Sequence, residues 1–336
     1  MTDRPIVAVT IGDPAGVGPE IVVKALATPD VYGPVRPLVI GDKCTLEQAQ
    51  GVCGLAQRIR CVDRSADGQY EPGIIDLLDV GSAEVNSVRI GQVQATAGRA
   101  AFEYLRRAVD LTMAGDVHAI ATAPINKKAL RAAGVSFLDH TEALAGLTGS
   151  PNPLTMFVVR NLRIFFLTRH VSLAQACSEI SSSRVADGIL QVDAALRRFG
   201  LVQARIAVAA LNPHGGEGGI FGDEEITQIK PAVAEARSRG VNAFGPVPAD
   251  AVFHLALVGQ FDAVLSLYHD QGHIAAKTLD FERTVSITAG LPFVRSSVDH
   301  GTAFDIAGRG IASSVSMEEA IMAAGKYAAL LRRYSA

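Results

Sequence analysis

IVAVTIGDPAGVGPE, residues 6–20, decides the class of fold. Residues 6–11 form an apolar run long enough for a buried strand and too short for a helix. Gly12, Asp13 and Pro14 stop the run, and Pro19 suits the first turn of a helix that the pattern carries to about Ala27. Outward from this stretch the unit recurs. PLVIG (37–41) precedes a helical stretch near 45–56, and IIDLLDV (74–80) reads as another strand. Residues 92–114 set Ala101, Leu105, Ala108 and Met113 broadly on one helical face, and HAIATAP (118–124) is a strand running into a proline turn. Strand and helix alternating in this way predict an α/β protein.

The middle of the chain departs from that alternation. TMFVVRNLRIFFLTRH (155–170) is two apolar runs joined at Arg160-Asn161, the outline of a β-hairpin. It marks either a second domain or an arm that meets a partner subunit. Helices are expected around 184–199 and 222–239, with a strand at 206–211 between them. Strands at 263–268 and 285–290 and a last helix at 317–334 complete the pattern, with no repeats or flexible linker.

Composition narrows the class further. The 336 residues suffice for two domains or one large α/β unit, and 49% of them are hydrophobic. A net charge of −3 with no basic run argues against nucleic acid as a partner. No stretch is apolar for long enough to span a bilayer, and the amino terminus does not read as a secretion signal. A cytoplasmic location is therefore expected. Cys44, Cys53, Cys61 and Cys177 lack C-x-x-C spacing, so reduced thiols are expected instead of a zinc cage.

The chemistry concentrates in NPHGGEGG (212–219) and YHDQGH (268–273). Each sets an imidazole, His214 or His269, in what reads as a glycine- and acid-rich turn after a buried strand. His170 follows IFFLT (164–168) in the same way. One isolated histidine is more often structural than a ligand. Three at strand ends point to a shared divalent cation with positions left open for substrate. Asp270 is either a direct ligand or an orienter of His269.

Other motifs carry weaker local signals. GDPAGVGPE fits neither standard nucleotide fingerprint, and a tight turn explains it as well as a ligand role for Asp13. In LDHTEAL, Thr141 is the expected helix cap, and His140 beside it is by itself more often structural. Lys277 could hold an anion or move a proton, and Arg295 could grip a carboxylate or phosphate; surface charge is the default for either alone. DHGTAFDIAGRG (299–310) has the composition of a loop that wraps a ligand.

In this order, GDPAGVGPE, TAPINK, DHTE, NPHGGEGG, GPVPAD, YHDQGH and GLPFVRSSVDHGTAFDIAG resemble the 4-hydroxythreonine-4-phosphate dehydrogenase family over essentially the whole chain. The resemblance implies the isocitrate/isopropylmalate dehydrogenase-like fold, with two α/β domains and the active site in the cleft between them. The first domain is expected at residues 1–130 plus 290–336 and the central one at 131–289. It further implies metal ligands at His170, His214 and His269, with zinc, magnesium, manganese or cobalt as the metal, in a site completed across a homodimer. Substrate-binding positions fall on His140, Thr141, Lys277, Ser286 and Arg295. Lys277 and Asp270 are the catalytic candidates. His300, Gly301, Thr302 and Asp305 are expected to hold NAD or NADP.

Ser286 departs from the pattern, because the pyridoxal-pathway enzyme has asparagine there. That departure, EPGIID (71–76), His273 in YHDQGHIAAK and HGTAFDIAG resemble instead the branch acting on 4-phospho-D-threonate or 4-phospho-D-erythronate. The expected reaction is oxidation of the 3-hydroxyl and decarboxylation to dihydroxyacetone phosphate. Alternatives are the vitamin-pathway enzyme, a dihydrodiol dehydrogenase, which shares DQGHI, a metal-dependent hydrolase, and a non-enzymatic binder of metal or phosphosugar.

Overall fold

The strand expected at 6–11 forms as β1 (Ile6–Thr10), every residue of it buried. The structure is a computed structural model that describes residues 4–82, 84–151 and 153–334. The chain folds as two compact units, one running through Pro153 and resuming at Val285–Arg332, the other covering Leu154–Thr284 with Arg333 and Tyr334.

In the first unit β1 is followed by α1 (Gly18–Ala25), β2 (Arg36–Gly41), α2 (Lys43–Cys53), β3 (Arg58–Cys61) and β4 (Ile74–Asp79). Then come α3 (Ala95–Met113), β5 (Ala119–Thr122), α4 (Lys127–Ala132) and α5 (His140–Thr148). In the second unit lie β6 (Leu154–Val159), β7 (Leu162–Phe166), α6 (Leu173–Ser178), α7 (Ser182–Arg198) and β8 (Ile206–Ala209). They are followed there by α8 (Lys230–Ser238), β9 (Ala243–Val247), α9 (Ala249–Leu257), β10 (Ala263–Ser266) and α10 (His269–Leu279). The chain returns to the first unit with β11 (Val285–Ala289), β12 (Val294–Val298) and α11 (Val315–Tyr334).

The first unit's strands lie in the order β3-β4-β2-β1-β5-β12-β11. All neighbours are parallel except β11 against β12. Strands covered on both faces read as continuous apolar runs, which is why β1, β2 and β5 are legible from sequence. From β1 the chain moves to β2 on one side, while β5 lies on the other. Such a reversal of strand order leaves a crevice beyond the carboxyl ends of the strands, where α/β proteins bind ligands. Asp13, the TAPIN turn after β5 and the 299–310 loop after β12 all leave the sheet at that end.

Register then aligns hydroxyl side chains. Thr10 pairs with Thr122, Thr122 with Ser297, and Ser297 with Ser286. Directly paired residues share a face, so these four form one row across β1, β5, β12 and β11.

Residues 131–153, expected in the central domain, pack in the first unit. Gly98 lets α3 and α4 approach until a Cβ there would stand 2.1 Å from the Ala129 carbonyl oxygen. Phe102 of α3 also meets Phe137, before α5, at 6.0 Å between ring centres. Residues 285–289 join the first unit because β11 pairs along β12.

The second unit's strands run β6-β7-β10-β8-β9, with only the β6–β7 hairpin antiparallel. Phe157, Val159, Leu162, Ile164 and Phe166 of the hairpin pack with Val252, Val264 and Ala276 in this unit's core. The hairpin thus belongs to the sheet and core of this unit and is not a projecting arm.

Two local expectations change. YHDQGH, read as a turn, opens α10 with His269 as its first residue. Gln271 makes this possible, since its side chain accepts from the Leu267 N–H (2.8 Å) and donates to the Ala210 carbonyl (2.8 Å). The cap of α5 is Asp139, whose carboxylate accepts from the Glu142 N–H at 3.0 Å, so Thr141 sits inside the first turn. All four cysteines are free, as expected. Among the described residues no helix is long and apolar enough to cross a membrane.

Candidate active site

In the first unit β12, β11, β5 and α5 surround a buried cation, Arg295. Arg295, at 5% exposure, lies directly opposite Thr288 in the β11–β12 ladder and diagonally from Thr122 of β5. Its Nε and Nη2 donate to Thr122 Oγ1 at 3.1 and 2.7 Å, and its Nη1 donates to Thr288 Oγ1 at 3.2 Å. Its hydrogen-bond partners are therefore neutral hydroxyls. Burial lowers its pKa to about 10, opposed by the charge of Asp139. A guanidinium in such surroundings is a strong electrostatic receptor for a carboxylate or phosphate.

His140 lies within reach of the Arg295 charge. Burial, and then the charge of Arg295, hold its pKa well below the usual 6.5, so the ring is neutral at pH 7. Its Nε2 is buried without a hydrogen-bond partner, a costly arrangement that a ligand would relieve. His140 and Thr141 are the first residues of α5, where backbone N–H groups also favour an anion. Ser286 belongs to the hydroxyl row on the same sheet. The structure thus assembles His140, Thr141, Arg295 and Ser286 on neighbouring elements of one unit.

The second unit holds the imidazoles. His269, His273 and Lys277 recur every four residues along one face of α10. His269 and His273 stack with ring centres 3.6 Å apart and planes 16° apart, and His273 also packs against Phe157 and Phe166. Burial, followed by the charges of His269 and Lys277, lowers the His273 pKa to about 4. Asp270 Oδ1 lies 2.6 Å from His269 Nδ1, which makes it an orienter of that ring. The Lys277 ammonium stands 5.2 Å above the centre of the Phe281 ring.

His170 and His269 line a hollow of about 330 Å³ together with Arg169, Tyr268 and Asp270. Their ring centres are 5.9 Å apart. Two imidazoles sharing one ion at about 2.1 Å from each nitrogen have centres roughly 5–6 Å apart, and the spacing of this pair matches that range. His214 does not join them: among the described residues no group of three His, Cys, Asp or Glu side chains is placed to hold a metal. It is exposed in a turn where six consecutive residues, 214–219, have positive φ. Glu225 anchors that turn, accepting from the Leu211 and Asn212 N–H groups at 2.8 and 2.7 Å.

The 299–310 loop is held against α1. Glu20 accepts from the Gly308 and Gly310 N–H groups, and Lys24 donates to the Gly310 and Ala312 carbonyls. Thr302 is buried and takes the Val17 N–H on its carbonyl, while His300, Gly301 and Asp305 are exposed. A fixed loop with an open outer face can receive a dinucleotide.

Sequence reasoning undervalued three residues. Asp13 is wholly buried with Oδ2 unpartnered, and burial raises its pKa to about 6 against the Ala15 N–H bond. Asn126 caps α4 and reaches Thr302 Oγ1 at 3.4 Å, and Thr122 braces Arg295. The strings GDPAG and TAPINK held the signal, but burial gives it weight.

The model of the family described as "Pyridoxal phosphate biosynthetic protein PdxA" matches residues 34–324. A Symbiobacterium thermophilum protein named "Putative D-threonate 4-phosphate dehydrogenase" is 57% identical over 333 residues, 99% of each chain. A Halalkalibacterium halodurans protein of the same name is 54% identical over 328 residues, 98% of each. The solved 4-hydroxythreonine-4-phosphate dehydrogenase of Klebsiella pneumoniae superposes with a TM-score of 0.90 at 44% identity, over 97% of this chain and 98% of that one. A terephthalate 1,2-cis-dihydrodiol dehydrogenase from Burkholderia xenovorans gives 0.62 at 30% identity, over 93% and 94%. The isocitrate/isopropylmalate dehydrogenase-like fold expected from the motifs is the fold of this chain. On a match over most of its length, the chain belongs to the PdxA family.

Proposed function

We propose that the protein uses NAD to oxidise the 3-hydroxyl of a four-carbon 4-phospho sugar acid, 4-phospho-D-threonate or 4-phospho-D-erythronate. Decarboxylation to dihydroxyacetone phosphate follows. The observation that carries this reading is the buried Arg295 beside a neutral His140 with an unpartnered Nε2. Such a receptor demands an anionic substrate, and the relatives named for D-threonate 4-phosphate supply the chemical class.

Oxidation removes a hydride from C3 to NAD and a proton from O3, leaving a ketone β to the carboxylate. The C1–C2 bond then breaks, carbon dioxide leaves, and C2 gains a proton. Arg295, His140 and the first N–H groups of α5 hold an anionic end of the substrate. Lys277 is the group proposed to move the protons, with Asp270 setting the ring of His269. Ser286 is too short to present the amide that an asparagine would, which favours a substrate without the amine of 4-hydroxythreonine 4-phosphate. His300, Gly301, Thr302 and Asp305 form the dinucleotide loop, with NADP as the other candidate.

A divalent cation, zinc, magnesium, manganese or cobalt, would sit on His170 and His269, with His214 contributed by the second copy of a homodimer. Bound there, it would supply a Lewis acid that lowers the pKa of the substrate hydroxyl and stabilises the enolate charge. The protein would work in the cytoplasm.

The test is turnover of purified protein with NAD, each metal in turn, and a panel containing both sugar acids and 4-hydroxythreonine 4-phosphate. NADH and dihydroxyacetone phosphate appearing together from a sugar acid is the expected result. Faster turnover of 4-hydroxythreonine 4-phosphate would move the protein to the vitamin pathway. Full turnover by His214→Ala with added metal would overturn the shared ion.

A further inference from the structure

Arg295 cannot serve as an anion receptor unless its plane is held, because a buried guanidinium without an ion pair in hand has nothing else to orient it. Thr122 supplies that hold. The Thr122 hydroxyl has one proton and two acceptor positions. Its proton goes to the Ser296 carbonyl at 3.3 Å. Both acceptor positions are then turned to Arg295, taking Nε–H at 3.1 Å and Nη2–H at 2.7 Å. Two bonds from one edge of a planar group to one atom fix the plane. Thr288 adds a third at Nη1. Of the five N–H donors of a guanidinium, three are thereby occupied and two remain, the number a bidentate carboxylate or phosphate takes.

Register makes the arrangement rigid. Arg295 stands opposite Ile120, two residues before Thr122 on parallel β5, and opposite Thr288 on antiparallel β11. Both hydroxyls therefore rise from strands whose spacing the backbone ladder sets, on the face from which the guanidinium projects. A carboxylate in place of either hydroxyl would neutralise Arg295 and compete with the substrate. A hydroxyl orients the cation and leaves its charge available.

We propose that Thr122 is a positioning residue for substrate recognition, aligning the Arg295 guanidinium for bidentate capture of the substrate's anionic group. This rests on the reading that Arg295 binds that group. The experiment compares Thr122→Val, which keeps the shape and removes the acceptor, with Thr122→Ser, which keeps the hydroxyl. Thr122→Val is expected to raise the KM for 4-phospho-D-threonate about tenfold, leaving kcat and the KM for NAD within about twofold, and Thr122→Ser to restore it. A folded Thr122→Val with an unchanged substrate KM, or a raised KM that serine does not restore, overturns the proposal.

A second measurement separates this proposal from the functional reading. Isotope-edited NMR of the Arg295 Nε–H, assigned with Arg295→Lys, needs no substrate. A protected signal in wild type and Thr122→Ser, lost in Thr122→Val, supports the brace even if no sugar acid turns over. Persistence of the signal in Thr122→Val overturns it. Thr122→Ala takes the place of the valine variant if that variant does not fold.

Discussion

The carboxylate of Glu225 holds Asn212 by two groups at once: Oε1 accepts its backbone N–H at 2.7 Å and Oε2 its side-chain amide at 2.9 Å. The same Oε1 accepts the Leu211 N–H at 2.8 Å, so Glu225, at 1% exposure, ties the end of β8 to the turn carrying His214. The turn needs such an anchor. Left-handed backbone at His214 and Glu217 is unfavourable for residues with a Cβ, and here positive φ runs through six residues in succession, 214–219.

Glu225→Gln is expected to destabilise the protein by about 2–3 kcal/mol at neutral pH, since its amide would face N–H donors. Burial raises the Glu225 pKa, but the hydrogen bonds from Asn212 outweigh it, so the net shift is below the usual 4.5. Its stabilisation is then complete above that value and fades as pH falls through the lowered pKa. Urea unfolding of both proteins from neutral to acidic pH checks this. A difference that stays constant into acid would contradict it.

Asp13 carries the opposite sign. Its folded pKa is raised from 3.8 to about 6, so its contribution is present below 3.8 and lost as pH rises through about 6. Asp13→Asn should therefore stabilise the protein above that pH, by up to about 3 kcal/mol. The same change should weaken ligand binding if the buried Oδ2 serves a ligand. Thermal unfolding at pH 5 and pH 8, set beside the KM for NAD, reads both effects.

Gly16 tests the proposed dinucleotide role of the 299–310 loop without changing any polar group. A Cβ at Gly16 would stand 2.8 Å from the Thr302 carbonyl oxygen and 2.9 Å from Thr302 Cβ. Gly16→Ala must push the loop off the α1 turn. The expected result is a KM for NAD raised about tenfold or more, with the substrate KM nearly unchanged. Equal losses for both would show that the two sites are not separable in this way.

Much of the fold was legible because its strands are apolar throughout. IVAVT, RPLVIG and AIAT announce themselves, and the hairpin breaks at Arg160-Asn161 as its sequence suggests. β12, VRSSV, is every bit as buried but carries an arginine and two serines, and no periodicity marks it as a strand. One of its polar residues, Arg295, bonds to hydroxyls that the neighbouring strands supply. α10 was hidden for a related reason, since His269, Asp270 and Gly272 at its start read as a turn until Gln271 is seen to tie that start to β8 and β10.

The sequence by itself determined the α/β alternation, the family, and which histidines, lysine and arginine to watch, because those follow from local periodicity and from motifs in a fixed order. Only the tertiary structure decided that Arg295 has neutral partners and that His140 Nε2 is left open. It also decided that His170 and His269 meet while His214 remains apart. Those facts depend on which strands become neighbours and in what register. Sheet pairing joins residues far apart in the chain, so no local pattern of residues encodes it.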